Sequence, residues 1–295
     1  MSNTGSADTV DRAAPTPADH AASTPAPPIG IFDSGVGGIS VLRVLRERMP
    51  SRDILYVGDT ANVPYGDKPL AVVRDLALAL TQWLAGQGCR DIVMASGTST
   101  AAGLDCAREQ FPHLRLYGTV EPGARAALDL CTGPIGVIAT NATVNSRAFT
   151  QAIHAFDPAR RVVEQGCPRF VPLVETGRWD TPDATDAAAE YIPRLLAEGV
   201  EAVIYGCTHF PFLSAAIAGI VAAGGSARPI FVDPAVQLAK DIAEGSAGAV
   251  SDHPCHVRFA CTGDAVHFRE MASLLAGADV GQVEPLRGVT PAITT

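Results

Sequence analysis

The stretch that decides the fold is residues 28–49, which read PIGIFDSGVGGISVLRVLRERM. The apolar run Ile29–Phe32 has the length of a short buried strand. The glycine-rich segment Asp33–Gly38 predicts a turn, and Ser40–Met49 carries its apolar residues at helical spacing. A buried strand that leads through a glycine turn into an amphipathic helix is typical of a parallel sheet covered by helices.

The same alternation continues along the chain. Short apolar runs predict buried strands at 54–57, 91–95, 135–139, 202–205 and 230–232, and amphipathic stretches predict helices at 71–87, 146–156, 183–197 and 235–244. Strand–helix alternation indicates the α/β class, with parallel-type sheets flanked by helices. Because the segment 91–99 can be laid on the segment 201–209, the sequence further suggests two similar α/β domains that face each other across a cleft.

Composition and charge exclude several classes of function. The chain has 295 residues, 47% of them hydrophobic and 18% charged, which suffices for a large core. Its formal net charge of −9 repels phosphate backbones, so we expect no nucleic-acid partner. No run approaches the roughly 18 apolar residues of a membrane span, and no export signal is recognisable, so the sequence predicts no membrane association and a cytoplasmic location.

The cysteines and lysines argue against a cofactor. The seven cysteines are odd in number and form no Cys-x-x-Cys pair, which speaks against a disulfide framework or a zinc site. Pyridoxal phosphate needs a lysine for its Schiff base. The only two lysines, Lys68 and Lys240, lie in no motif that looks like an active site. We therefore expect neither a metal nor an organic cofactor.

Four polar segments follow predicted strands, where open α/β folds bind their ligands. They are Asp33–Gly38, Ser96–Thr100, Asn141–Ser146 and Cys207–Pro211. In the first segment a carboxylate and a hydroxyl stand together, a pair that can hold an ammonium group or orient a proton-transfer group. The glycines beside them fit a plain tight turn equally well, so both interpretations stay open here.

Cys207 is the sharpest candidate for chemistry. It follows a predicted strand and lies two residues before His209, so its thiol is expected to be partly exposed and close to a base. Those are the conditions that favour a reactive thiolate. His209 itself fits either a functional residue or a satisfied polar one. The other six cysteines are predicted to be buried structural residues.

Four motifs together resemble the glutamate racemase family, part of the aspartate/glutamate racemase superfamily, from about Pro28 to Leu286. They are GIFDSGVGG at Gly30, VPYG at Val63, FVPLVE at Phe170 and GCTHFP at Gly206, in the family's order and at its separations. The resemblance implies an isomerase of two similar α/β domains. Its active site lies between them, and two cysteines move a proton at the α-carbon of a small acidic amino acid without a cofactor. A place in peptidoglycan biosynthesis of the cell wall, through a D-amino acid, is also implied, and a homodimer is left open.

The resemblance also implies roles for individual residues. Cys207 corresponds to the second catalytic cysteine and His209 to the polar residue that assists it. Asp33 corresponds to the acid on the other side, and Glu175 to a further cleft carboxylate. The residues that the resemblance implies for substrate binding are Asp33, Ser34, Tyr65, Gly66, Thr143, Thr208 and His209, with Thr143 holding a carboxylate.

At the first catalytic cysteine the chain departs from the family. The family has Ala-Cys-Asn-Thr, whereas this chain has Ala95-Ser96-Gly97-Thr98. Cys89 lies seven residues upstream of Ser96, roughly 20 Å away along an extended strand. Cys106 lies ten residues downstream, about 15 Å away if the intervening segment is helical, so neither thiol easily fills the gap. Ser96 is then the expected catalytic group on this face. A hydroxyl needs an adjacent base, and Asp33 is the candidate for that base.

Three functions stay open on these residues. The first, which we rank highest, is an acidic amino-acid racemase with a weakened Ser96 face. The second is a decarboxylase or isomerase of a malonate-type or dicarboxylate substrate that needs only Cys207. It resembles arylmalonate decarboxylase, whose Gly-Thr-Ser recurs here from Gly97 and implies that Gly97 and Thr98 bind the substrate as part of an oxyanion hole. The third is a non-catalytic relative that binds a dicarboxylate or a protein partner.

The domain organisation follows the same readings. Residues 1–27 are rich in proline and small polar residues, which cannot supply a core, so we expect a disordered tail there. The first α/β domain is expected to comprise residues 28–122 together with 234–286, and the second residues 123–233. A C-terminal tail is expected over residues 287–295.

Overall fold

The three-dimensional structure is a computed structural model that describes Met1 and residues 26–225, 228–245, 254–287 and 289. Most of the two predicted tails, 1–27 and 287–295, therefore lies outside the described residues. Within the described residues strands and helices alternate, and every strand pairing is parallel. The predicted α/β class is confirmed.

Ten strands and eleven α-helices form the described part of the chain. The strands are β1 (Ile29–Asp33), β2 (Ile54–Gly58), β3 (Asp91–Met94), β4 (Arg115–Gly118), β5 (Ile135–Ala139), β6 (Val162–Gly166), β7 (Ala202–Tyr205), β8 (Ile230–Val232), β9 (Val257–Cys261) and β10 (Val283–Pro285). The helices are α1 (Ile39–Arg48), α2 (Leu70–Gly86), α3 (Gly97–Gln110), α4 (Val120–Leu130), α5 (Asn141–Ser146), α6 (Ala148–Phe156), α7 (Phe170–Glu175), α8 (Pro182–Ala197), α9 (Ser214–Ala223), α10 (Pro234–Gly245) and α11 (Ala265–Ala276). Short 3₁₀ helices occupy Tyr65–Asp67 and Phe210–Leu213.

The strands form two separate sheets. The first sheet has six strands in the order β10-β9-β2-β1-β3-β4, and the second has four in the order β6-β5-β7-β8. The chain crosses to the second sheet between β4 and β5 and returns between β8 and β9. Helices α4 and α10, which lie on these two crossings, pack against each other. The predicted domain boundaries, after residues 122 and 233, fall at the same crossings.

The central strands carry the core. All residues of β1, β2, β3, β5 and β7 are buried, because helices cover both faces of each sheet. Continuous apolar runs are therefore what these strands require, and they are the runs from which the sequence predicts them. The partly polar edge strands, such as β6, are only half-buried.

The predicted helix 146–156 corresponds to α6, and a short helix that the sequence does not predict, α5, precedes it. Helix α5 ends at Ser146 and α6 begins at Ala148. Arg147 between them has φ 59°, in the left-handed region. A non-glycine residue there ends one helix and lets the next leave in a new direction. As a result the helix following β5 is the short α5.

Candidate active site

The carboxyl ends of the two sheets face each other across a small cavity. About 30 Å³ of it is open to molecules the size of water. Its lining includes seven of the predicted site residues, contributed by both sheets: Ser34, Tyr65, Gly66, Ser96, Thr98, Cys207 and His209. The other five predicted residues do not line it and lie behind its wall: Asp33, Gly97, Thr143, Glu175 and Thr208.

Three side chains of the second sheet's half of the molecule, which we call the relay, contact one another in a row. Cys207 follows the carboxyl end of β7, and its Sγ lies 3.7 Å from Nδ1 of His209. On the other side of the imidazole, Nε2 lies 2.6 Å from Oε1 of Glu175, the last residue of α7. A thiol, an imidazole and a carboxylate in contact in this order can move a proton to and from the sulfur.

The electrostatics of the relay favour a charged imidazole. Burial is the largest influence on His209 and by itself lowers its pKa. The hydrogen bonds and charges of Cys207 and Glu175 outweigh it and raise the pKa well above its ordinary value. Burial likewise acts to raise the pKa of Glu175, but the hydrogen bond and charge of His209 bring it below its ordinary value. The pair therefore carries opposite charges near neutral pH and places a positive group beside the Cys207 sulfur.

The glycine loop of the first sheet lies directly on this relay. The amide of Val36 donates a hydrogen bond to Oε1 of Glu175 at 3.0 Å. A Cβ on Gly35 would lie 2.0 Å from that oxygen, and a Cβ on Gly37 would lie 2.2 Å from Nδ1 of His209. These glycines are thus required by close approach between the two sheets, which a plain tight turn would not need.

Asp33 is fully buried behind the cavity wall. Its Oδ2 accepts a hydrogen bond from Thr208 Oγ1 at 2.9 Å, and its Oδ1 accepts one from the amide of Gly35 at 3.1 Å. Burial is the largest influence and raises the pKa of Asp33. The carboxylate therefore links the first sheet to the Cys207 loop of the second, through Thr208.

Ser96 differs from the base-assisted hydroxyl that the sequence predicts. It is the N-cap of α3, and its Oγ accepts a hydrogen bond from the amide of Ser99 at 3.4 Å. Among the described residues, neither Asp33 nor any other carboxylate or imidazole accepts a hydrogen bond from Ser96. The expected activation of Ser96 by Asp33 is not seen, because Thr208 and the turn at Gly35 engage that carboxylate.

Gly97 faces away from the cavity. A Cβ at this position would lie 2.2 Å from the carbonyl oxygen of Gly206, in the second sheet's strand–loop unit. Ser96 lines the cavity and Gly97 does not, so Ser96 and not Gly97 shares the cavity with Cys207. Thr98, the next residue, returns to the cavity lining.

Three threonine hydroxyls form a cluster between the sheets. Oγ1 of Thr98, on α3, lies 3.0 Å from Oγ1 of Thr140 and 3.0 Å from Oγ1 of Thr143, and the last two are 3.0 Å from each other. Because hydroxyls donate as well as accept, such a cluster suits a carboxylate. Thr140 is absent from the sequence-based predictions. Its position directly after β5, as N-cap of α5, is the signal that could have identified it.

Tyr65 and Gly66 form one wall of the cavity. The Tyr65 hydroxyl donates a hydrogen bond to Oδ2 of Asp59 at 2.6 Å, and a Cβ on Gly66 would lie 2.7 Å from the Cβ of Thr140. Burial, and then the charge of Asp59, raise the Tyr65 pKa well above its ordinary value. Asp59 is a second buried residue near the site that the sequence predictions omit.

The remaining cysteines differ in burial from the prediction. Cys89, Cys167 and Cys261 are buried as expected, whereas Cys106 is exposed, so the expectation of a buried structural residue is wrong there. Burial raises the pKa of Cys89 to about 11, which makes that thiol a poor nucleophile. Cys131 and Cys255 are partly buried.

The described residues offer neither a metal-ligand cluster nor a membrane-spanning helix. Over the described residues, no group of three or more His, Cys, Asp or Glu side chains is arranged to hold a metal ion. No helix within those residues is long and apolar enough to cross a membrane.

Comparison with known proteins gives a consistent result. Residues 39–239 match the family described as Asp/Glu/Hydantoin racemase. The chain is 39% identical over 267 residues to a glutamate racemase of Corynebacterium diphtheriae, a match that covers 89% of this chain and 98% of that protein.

Solved structures give the same picture. The chain is similar to the glutamate racemase of Francisella tularensis in complex with D-glutamate, with a TM-score of 0.81 and 29% identity over 88% of this chain and 97% of that one. It is also similar to the Thermus thermophilus glutamate racemase in complex with β-chloro-D-alanine, with a TM-score of 0.77 and 37% identity over 88% and 96%. This chain belongs to the Asp/Glu/hydantoin racemase family.

Proposed function

We propose that the protein is a cofactor-independent isomerase that moves the α-proton of glutamate or a closely related acidic amino acid. Cys207 serves one face of the α-carbon and Ser96 the other. The observation that carries the proposal is that Cys207 and His209 of the relay line the same cavity as Thr98 and Thr140 of the threonine cluster. A proton-transfer group and a carboxylate-binding group are what the reaction needs.

The reaction follows from these groups. With the substrate carboxylate on the hydroxyls of Thr98 and Thr140, the sulfur of Cys207 takes the α-proton. The C–H bond breaks, an S–H bond forms, and the electron pair of the carbanion spreads into the carboxylate. Return of the proton from Cys207 restores the same enantiomer. Transfer of the hydroxyl proton of Ser96 to the opposite face breaks the Ser96 O–H bond and inverts the centre; solvent then reprotonates the Ser96 oxygen, and Cys207 releases its proton through His209. His209, hydrogen-bonded to Glu175, donates a proton to the sulfur of Cys207 or accepts one from it.

The two faces are unequal, because Cys207 contacts an ionisable imidazole whereas the Ser96 hydroxyl accepts a hydrogen bond from a backbone amide. In D₂O the protein should therefore exchange the α-proton of one glutamate enantiomer faster than it inverts that enantiomer. Proton NMR with D- and L-glutamate, combined with chiral analysis of the products, measures both rates. Aspartate and substituted malonates belong in the same assay. Decarboxylation of a malonate without exchange of the α-proton of glutamate would favour the single-thiol lyase. The similarity to glutamate racemases does not favour that alternative.

Replacing the relay's thiol gives the first prediction. Cys207→Ala removes the only cavity-lining thiol among the described residues, and we expect α-proton exchange to fall by about 10²–10⁴-fold or to vanish. Cys106→Ala is the matched control, since that thiol is exposed and distant from the cavity. Exchange of the α-proton by Cys207→Ala at the wild-type rate would contradict the proposal.

The proposal also covers the location, the oligomeric state and the pathway of the enzyme. A cytoplasmic homodimer that supplies D-glutamate for peptidoglycan fits an enzyme of this family. Light scattering coupled to size-exclusion chromatography tests the dimer. A measured molar mass that equals that of a single chain, at micromolar protein concentration, would contradict the homodimer.

A further inference from the structure

Asp59 is a buried carboxylate that the proposed reaction does not use. It follows β2 and is 1% exposed. Its carboxylate accepts hydrogen bonds from three side chains: the Tyr65 hydroxyl at 2.6 Å, Asn62 Nδ2 at 3.0 and 3.1 Å, and Thr262 Oγ1 at 2.6 Å. A buried charge is retained only where several donors compensate the loss of water, and these three donors do so.

The three donors come from two segments at the carboxyl edge of the first sheet. Asn62 and Tyr65 belong to the connection that leads from β2 to the cavity, and Thr262 follows β9. Two further bonds join these segments: Ala61 donates its amide to Thr262 Oγ1, and Gly263 donates its amide to Thr60 Oγ1, each at 3.1 Å. Asp59 therefore fixes the connection 59–66 to the sheet that carries it.

The far end of this connection touches the other sheet. Tyr65 and Gly66 line the cavity, and a Cβ on Gly66 would lie 2.7 Å from the Cβ of Thr140. Thr140 in turn contacts Thr98 and Thr143 through its hydroxyl. A continuous set of contacts thus runs from Asp59 through Tyr65 and Gly66 to the threonine cluster.

We propose that Asp59 is a positioning residue, which holds Tyr65 and Gly66 against Thr140 and so sets the width of the space that receives the acidic substrate. The inference rests on the proposed function, and Asp59 itself touches no substrate. A carboxylate is needed because both of its oxygens accept hydrogen bonds. An asparagine would turn an NH₂ group toward one of the donors.

The test compares Asp59→Asn, Tyr65→Phe and the double variant by steady-state kinetics with glutamate. Losing a hydrogen bond to a charged group should raise KM by about ten- to a hundredfold while kcat changes much less. If Asp59 acts through the Tyr65 hydroxyl, the double variant should be no worse than the more impaired single variant.

Asp91→Asn is the matched control. Asp91 is also fully buried in the first sheet, but at the amino end of β3, where its Oδ2 accepts hydrogen bonds from Arg52 and Arg115, each at 2.8 Å. This substitution should lower the melting temperature and leave KM unchanged. A KM in Asp59→Asn equal to that of the wild type or of Asp91→Asn would overturn the inference.

Hydrogen exchange provides a readout that does not depend on turnover. In the ligand-free protein, amides 60–66 should exchange faster in Asp59→Asn and Tyr65→Phe than in the wild type or Asp91→Asn. Unchanged protection in Asp59→Asn overturns the inference whether or not glutamate is the substrate. A wild type that exchanges no α-proton of glutamate, with protection lost as expected, would instead contradict the proposed function and leave the positioning role supported.

Discussion

The ion pair of Glu175 and His209 is the residue-scale feature in which burial and charge oppose each other most directly. Because the pKa of Glu175 is lowered from 4.5 and that of His209 is raised from 6.5, the pair contributes stability that is fully present between those ordinary values. The contribution is lost as pH falls through the folded-state pKa of Glu175. It is lost at the other end as pH rises through the folded-state pKa of His209.

Glu175→Gln should reveal this dependence. Removing one partner of a buried pair costs about 3–5 kcal/mol, so the loss in melting temperature should be largest between pH 4.5 and 6.5 and shrink toward alkaline pH. Thermal unfolding across pH measures it. Glu190→Gln is the control, since the Arg169–Glu190 pair is about half exposed and should matter little at any pH. A loss of melting temperature that does not vary with pH would refute the assignment of charges.

Single residues differ in how well the sequence predicts them. Cys207 and His209 are recognisable because their motif follows a predicted strand and matches a family pattern, whereas Glu175 is recognisable from the family pattern alone. Asp59 is missed because its importance arises from contacts with segments distant in the chain, which no local pattern records. Thr140 is missed although its position directly after β5 is a local signal.

At the N-terminus of α3, the family pattern and the structure predict different effects for the same substitutions. The comparison with Ala-Cys-Asn-Thr predicts that Ser96→Cys/Gly97→Asn gains the most glutamate racemisation. In the structure, however, any Cβ at Gly97 meets the Gly206 carbonyl oxygen at 2.2 Å, and backbone cannot swing aside as a flexible side chain can. The asparagine therefore forces the start of α3 away from β7.

Ser96→Cys alone should then gain more inversion than the double variant. The single change places a thiol opposite Cys207, while the weaker helix cap costs about 1 kcal/mol of stability. Chiral chromatography of glutamate after incubation measures inversion, and thermal unfolding measures the cost. A double variant that outperforms Ser96→Cys would mean that α3 can shift without harm.

Elements were predictable where their pattern is self-contained. The central strands are continuous apolar runs, and their bounds agree within one or two residues, as for β2 and β7. Helix α3 was not predicted, because its sequence GTSTAAGLDCAREQ carries little amphipathic pattern and the helix is held by packing on α2. The break at Arg147 was missed for a similar reason, since nothing local marks that residue as left-handed.

At the scale of the whole molecule, function depends on how closely the two sheets approach. Asp33, Val36 and Gly37 on one side contact Thr208, Glu175 and His209 on the other, and about 30 Å³ of the cavity between the sheets is open to molecules the size of water. The sequence implies the cleft, but its width is set by the sum of many contacts and is not encoded in any one motif.

Gly37→Ala tests this closeness directly. The added Cβ would lie 2.2 Å from His209 Nδ1 and 2.7 Å from Thr208 Oγ1, so the loop must withdraw from the second sheet. Gly219→Ala in α9 is the matched control, because its Cβ meets nothing within 4 Å and alanine favours the helix by about 1 kcal/mol. We expect Gly219→Ala to raise the melting temperature and leave α-proton exchange unchanged.

For Gly37→Ala we expect slower exchange of the α-proton of glutamate. Displacing the two halves by about 1 Å can cost roughly 10²-fold in rate, because the relay and the substrate-binding hydroxyls then no longer meet the same α-carbon. The circular dichroism spectrum should stay that of a folded α/β protein, since the strands of both sheets keep their buried residues. Exchange of the glutamate α-proton in D₂O, followed by NMR, measures the rate. Gly37→Ala could instead exchange the proton as fast as the wild type and bind D-glutamate equally well. Close contact at this loop would then not be what the reaction depends on, and other contacts would set the distance between the two halves.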